Sequence, residues 1–183
     1  MLMIPPTTTE DEPTLVRRAR RGDHAAFAAL YRLHATAVHT LAYRLTGNHA
    51  TSEDITQEAF LRMLQFLGGF KDGLPLRPWL KRVAANAAID RLRRDRHHLL
   101  DEIAADHAHE DASAHADAAE ASGLLRRLPP LPRTLVWLHE MEGWTHAELA
   151  SRFKQSPSWS KSIVSRAIAR LRDGIEPDAG HFT

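Results

Sequence analysis

Residues Thr145–Arg172 read THAELASRFKQSPSWSKSIVSRAIARLR, and two helix starts within them decide the fold class. Thr145 followed three residues later by Glu148 is a capping box, in which hydroxyl and carboxylate satisfy exposed helix N–H groups in turn. Ser156-Pro157 is the second start, with Ser as N-cap and Pro at the first helical position, where its missing N–H costs nothing. Leu149, Ala150 and Phe153 face inward from the first helix, and Trp159, Ile163, Val164, Ile168 and Leu171 anchor the second. Two short helices joined by about four residues match a helix-turn-helix, whose second helix enters a major groove. Its outward residues are Lys161, Ser162, Ser165 and Arg166, with Arg170 and Arg172 further along.

A second basic helix lies upstream. Phe70–Arg96 reads FKDGLPLRPWLKRVAANAAIDRLRRDR, a loop broken by Gly and Pro that leads into an amphipathic helix. Leu80, Val83, Ala84, Ala87, Ala88 and Leu92 form its apolar side. Arg82, Asn86, Arg93 and Arg96 cluster on the opposite side, which suits a phosphate backbone, with Asn86 able to read a base edge. By itself this is also the pattern of a solvated surface helix.

Composition agrees with an all-helical chain. Ala, Leu and Arg dominate, and period-two runs of β-branched residues are absent. No apolar run approaches the roughly 20 residues of a membrane span. The N-terminus has no charged start followed by an apolar core, so no signal peptide is expected, and the cytoplasm is the expected compartment. With no cysteine there are no disulfides or thiolate metal sites.

The net charge of +1 conceals segregation. Lys71 to His98 holds eight Lys/Arg against three Asp. Leu99 to Ser122 holds seven acids and no Lys/Arg, and Leu149 to Arg172 six Lys/Arg and no acid. Two basic modules flanking an acidic connector suit a polyanion gripped at two points. Blocks of like charge are also often merely solvated.

The expected organisation is a disordered arm over 1–13, a helical domain over 14–98, an acidic linker over 99–122, the helix-turn-helix domain over 123–174 and a tail over 175–183. In the first domain Gly47-Asn48 ends one helix and Thr51 or Ser52 opens the next, placing Glu53 and Asp54 in its first turn. The two domains share no expected core, so their relative placement is open. The three acids of the arm could mask Arg82, Arg93 and Arg96.

Taken together these segments resemble the extracytoplasmic-function sigma factors of bacteria. SEDITQEAFLRML (52–64) is similar to the family's core-polymerase-binding segment, and RPWLKRVAANAAIDRLRR (77–94) to its promoter-melting segment. LPPLPRTLVWLHEMEGWTHAELASRF (128–153) with SWSKSIVSRAIARLR (158–172) resembles the domain that reads the minus-thirty-five element. The order and spacing of all these segments make the match specific. The resemblance implies a non-enzymatic initiation factor without cofactors. Its partners would be core RNA polymerase, promoter DNA and an anti-sigma protein.

The resemblance implies that Glu53, Asp54, Gln57, Glu58, Phe60 and Leu64 meet the polymerase. For Glu53 and Asp54 the helix dipole alone would also favour acids in a first turn. The loop from Phe70 to Arg77 would receive a flipped base of the opened minus-ten element, with Phe70, Lys71, Arg77, Arg82, Asn86, Arg93 and Arg96 on that side. Trp79 is expected in the core. Ser158, Trp159, Lys161, Ser162, Ser165, Arg166 and Arg170 would read the minus-thirty-five element. Departures from the family pattern are Lys154 where the turn often has Gly, Ser158-Trp159-Ser160 where Gly-Thr-Val is usual, and Ser52 in place of the first acid.

Two other readings are open. One is a two-domain helix-turn-helix regulator that senses a ligand or metal. The other is a metal-dependent hydrolase built on Asp106, His107, His109, Glu110, Asp111 and His115. A polar linker accumulates such residues without binding metal, and no metal ligand is assigned because nothing nearby would orient one.

Overall fold

The computed structural model describes residues 10–71, 73–101 and 123–173, with side chains left out for 96–101 and 173. The described residues are helical, with no strand among them. The order is α1 (Glu12–Arg20), α2 (His24–Thr46), α3 (His49–Phe66), a 3-10 turn (Leu67–Gly69), α4 (Leu76–Asp101), α5 (Pro130–Glu140), α6 (His146–Phe153) and α7 (Pro157–Asp173). The acidic stretch 102–122, with all the His and Asp candidates for metal, lies outside the described residues, as does the tail.

The first module is built around α2, which α1, α3 and α4 all pack against. Leu30, Val38, Leu45, Ile55, Met63, Leu76, Leu80 and Ile89 are fully buried there. Each would add about 1.5–3 kcal/mol by leaving water, before the entropy of ordering it. Local chemistry sets the helix ends. Asp23 Oδ1 accepts from Ala25 N–H at 2.9 Å and Ala26 N–H at 3.1 Å at the start of α2. Gly47 ends α2 at φ +69°, a left-handed conformation open to glycine without penalty.

Three boundaries differ from the sequence expectation. α3 starts at His49, capped by Asn48, whose Oδ1 accepts from Thr51 N–H at 2.9 Å. Asn48 both follows the Gly47 stop and caps the next helix, so the expected start at Thr51 or Ser52 is late by nearly a turn. Ser52 is buried and donates its hydroxyl to Asn48 O at 2.6 Å. Residues 10–13 do not belong to a loose arm. Glu10 pairs with Arg18, Asp11 is the α1 N-cap, Glu12 faces α4 and Pro13 sits in the first turn. Finally, α4 runs through Asp101, past the expected end of its domain.

The second module forms as its cap signals require. The Thr145/Glu148 capping box is complete in both directions, and α5, α6 and the start of α7 bury Leu135, Leu138, Leu149 and Phe153. Lys154 occupies the left-handed position at the end of α6, with φ 55° and ψ 44°. The turn therefore keeps the geometry that Gly favours, at a cost of about 1 kcal/mol for the side chain.

Contrary to the expectation of two modules without a common core, they pack against each other. α5 lies on α2 and α4, and α6 on α4. The final carbonyls of α2 lack intrahelical partners. Thr134 donates its hydroxyl to Leu45 O at 3.0 Å, and Arg133 Nη2 donates to Thr46 O at 3.0 Å. The Arg133 guanidinium also sits favourably at the negative end of the α2 dipole. It is buried, and desolvation lowers its pKa. Arg44 stacks over the Trp137 ring at 4.5 Å.

Candidate polymerase and promoter surfaces

The outer face of α3 carries the acids singled out from sequence. Glu53, Asp54 and Gln57 are exposed and Glu58 is half-buried. Because α3 starts at His49, Glu53 and Asp54 stand beyond its first turn, where the pull of the dipole has faded. Their presence there is not explained by capping. Glu58 Oε1 accepts from Arg62 at 2.6 Å, and Asp54 lies 3.2 Å from Arg91 of α4. Phe60 is no part of this surface. It is 3% exposed, with its ring 4.6 Å from Tyr31 and 6.5 Å from Phe27. The next residue, Leu61, was not singled out from sequence and is 58% exposed beside Leu64 at 49%. Phe60 falls on the helix face of buried Thr56, Ala59 and Met63, and Leu61 on the face of Gln57 and Leu64, as the 100° advance per residue requires.

The loop after α3 forms the rim of an apolar cavity of about 360 Å³ lined by Met63, Phe66, Leu67, Gly69, Phe70, Leu76 and Trp79. Phe70 and Trp79 meet edge to face at 6.1 Å. Trp79, expected in the core, therefore packs against the core and also lines this cavity. Lys71 and Arg77 are exposed.

One end of the basic face of α4 is paired with the second module. Arg82 Nη2 donates to Glu148 Oε1 at 2.5 Å and its guanidinium lies 4.7 Å above the Trp144 ring. Lys81 Nζ is 2.5 Å from Glu142. Glu148 thus serves both the α6 capping box and Arg82. The Arg82 hydrogen bond and the Thr145 bonds lower its pKa to about 2. The acids of the arm do not cover this face: Glu10, Asp11 and Glu12 are engaged at α1 and the loop, and the expected mask comes from Glu142 and Glu148 instead. Arg93 turns toward Asp90 at 3.4 Å. Asn86 is half-buried, and its Oδ1 is buried without a hydrogen-bond partner among the described residues. The Arg96 side chain lies outside the described residues.

The helix-turn-helix face is open. Ser158, Lys161, Ser162, Ser165, Arg166 and Arg170 are exposed on α7. Trp159 is the exception to the expected reading set. It packs on Phe153 at 5.4 Å, and buried Ser160 places its hydroxyl 3.1 Å from His146 Nδ1. The unusual Ser-Trp-Ser start thus supplies core contacts as well as surface.

Residues 30–98 match the family model of Sigma-70 region 2, and residues 119–171 that of Sigma-70 region 4. The RNA polymerase sigma factor CarQ of Myxococcus xanthus is 33% identical over 168 residues, covering 86% of this chain and 94% of its own. The ECF RNA polymerase sigma factor SigM of Mycobacterium tuberculosis is 32% identical over 151 residues, covering 82% of this chain and 77% of its own. The chain belongs to the extracytoplasmic-function sigma factors. Its fold is similar to that of the sigma factor RpoE of Bartonella quintana, solved with the anti-sigma factor NepR, at a TM-score of 0.53 and 22% identity over 83% of this chain and 98% of that one. This sigma factor binds core RNA polymerase and directs it to promoters for initiation. Helix α1 precedes the span matched to region 2. No described helix is long and apolar enough to cross a membrane.

Proposed function

We propose a division of labour among these surfaces, with the domains bounded as expected from sequence except that the first begins at residue 10 and its last helix runs to residue 101. The α3 face of Glu53, Asp54, Gln57, Glu58, Leu61 and Leu64 docks on core polymerase. The cavity behind Phe70 takes a base flipped from the minus-ten element, with Lys71, Arg77, Arg82 and Arg93 on the phosphates and Asn86 reading a base edge once its amide turns outward, since its Oδ1 is buried in the packed form. Lys161, Ser162, Ser165, Arg166 and Arg170 read the minus-thirty-five element. The protein works in the cytoplasm without catalytic chemistry of its own, and an anti-sigma protein is a partner.

One observation carries this reading: an apolar cavity beside a basic helix in one module, and an open basic recognition helix in the other. It also requires movement. The two promoter elements stand about 25 base pairs apart, or about 85 Å at 3.4 Å per step. Modules in direct contact do not span that length, so the packed arrangement is a resting form that opens on the polymerase. Run-off transcription with purified core polymerase tests the assignment. Leu61→Asp with Leu64→Asp should abolish transcription and co-elution with the core enzyme, whereas Arg166→Ala should spare co-elution. Normal core binding by the double Leu variant would remove the α3 face.

A further inference from the structure

Helix α1 lies ahead of the matched region 2 span, yet it touches both ends of the base-binding loop. At its last residue, Arg20 Nε donates to Leu67 O at 3.0 Å and Nη2 donates to Phe70 O at 2.5 Å. At its first residue, Glu12 Oε1 accepts from Leu76 N–H at 2.7 Å. Leu67 and Phe70 form the loop's entry and Leu76 its exit, and all three line the cavity. The loop's own backbone adds a bond from Phe70 N–H to Leu67 O at 3.2 Å and a longer one from Leu74 N–H to Lys71 O at 3.4 Å. Gly73 adds freedom at φ +80°.

Eight residue steps separate Glu12 from Arg20, and a helix holds such a span at about 12 Å. The helix is thus a rigid spacer between loop entry and loop exit. Both grips are charge-assisted, the stronger class of hydrogen bond. Leu15, Val16 and Ala19 are buried between them, which fixes the spacer to the core.

We propose that Glu12 and Arg20 are positioning residues for minus-ten recognition: they hold the loop so that the cavity is formed before a base arrives. A preformed pocket avoids the ordering cost of closing a free loop around its ligand. Base preference at that element therefore depends on two side chains that touch no DNA. The inference rests on the cavity being the base site, and the experiment separates the two claims.

Full-length protein is assembled with core polymerase and presented with duplex promoters whose upstream element is fixed and whose downstream element is randomised. Sequencing of the bound fraction gives base preference, and core affinity is measured alongside. Arg20→Ala should weaken downstream preference roughly tenfold while core affinity and upstream preference stay unchanged. Arg20→Lys should fall between, since one ammonium does not reproduce the two-pronged grip. Glu12→Ala should act like Arg20→Ala, and Glu12→Gln, which keeps the acceptor for Leu76 N–H, should retain preference. Phe70→Ala reports on the cavity itself. Wild-type preference in Arg20→Ala and Glu12→Ala with preference lost in Phe70→Ala would overturn the brace. Wild-type preference in all three would overturn the cavity as the base site, and the brace with it. If Arg20→Ala lowers core affinity equally, the Glu12 pair decides: equal preference in Glu12→Ala and Glu12→Gln overturns the brace.

Discussion

The two basic helices, α4 and α7, carry the same kind of charge and meet opposite fates. Arg82, though exposed, and Lys81 on α4 are paired with Glu148 and Glu142, while Lys161, Arg166 and Arg170 on α7 are exposed and form no ion pair among the described residues. The cause lies in where the second module keeps its acids. Glu140, Glu142 and Glu148 stand at the corner between α5 and α6, and no acid occurs from Leu149 to Arg172. That corner packs against α4, so it pairs with Lys81 and Arg82 at one end of the first module's basic helix and leaves the module's own recognition helix bare. Basic composition identifies a nucleic-acid surface; the position of the acids determines whether that surface is available.

The contrast can be broken at the seam. A Cβ added at Gly47 would stand 2.7 Å from Arg133 Nη2, on a residue already at φ +69°. Gly47→Ala should cost about 3 kcal/mol through left-handed strain plus displacement of the guanidinium. Urea unfolding measures the loss, and transfer between dyes at Gln65→Cys and Gln155→Cys measures separation of the modules. The absence of native cysteine makes that labelling specific. A loss near 1 kcal/mol with no separation would mean that Arg133 has room to move aside.

On the open face, Arg166→Ala should weaken binding of the upstream element by about 1–3 kcal/mol, as expected for a base or tightly held phosphate contact. Arg82→Ala should weaken minus-ten binding less, because removing it also loosens the cover over that face. Titration of holoenzyme with labelled promoter at two salt concentrations compares them. Equal losses would show that the cover contributes nothing.

Acid and salt should loosen the covered face. The folded pKa of Glu148 is about 2, below the ordinary 4.5. Its contribution to closure is therefore complete above 4.5 and is lost as pH falls toward 2. The same dye pair should report opening over that window and, at neutral pH, with added salt. A Glu148→Gln variant should already be loosened at neutral pH. Coincident curves for variant and wild type would leave closure to the contacts of α5 on α2 and to the Lys81–Glu142 pair.

The smallest effect is local to the open module. Lys154→Gly relieves a non-glycine φ of 55° and should stabilise that module by about 1 kcal/mol or less. Thermal melting should rise slightly, with dye separation and promoter preference unchanged.

Much of this was legible in the linear chain because it rests on neighbours. The Thr145/Glu148 box, the Ser156-Pro157 start and the Gly47 stop act over three or four residues, and each formed where its chemistry lies. The helical periods of α4 and α7 likewise identified which faces are apolar. The family resemblance placed Phe60 and Trp159 on interaction surfaces, whereas their helical periods place both inward, where Phe60 meets Tyr31 and Phe27 and Trp159 meets Phe153. Asn48, a cap as well as a turn residue, was the one local signal misread.

By itself the sequence determined the helices, their apolar sides and the two basic surfaces, since caps, periodicity and charge are properties of short windows. Tertiary structure alone decided which basic helix is paired with acids and what holds the loop after α3. Arg82 meets Glu148 across 66 residues and Arg20 reaches Phe70 across 50. Such pairs depend on how packed helices bring distant segments together, and many alternative charge pairings are equally compatible with the unfolded chain. Burial of α5 against α2 and α4 selects one of them, and in that packing the last carbonyls of α2 and the acids of the α5–α6 corner find their partners together.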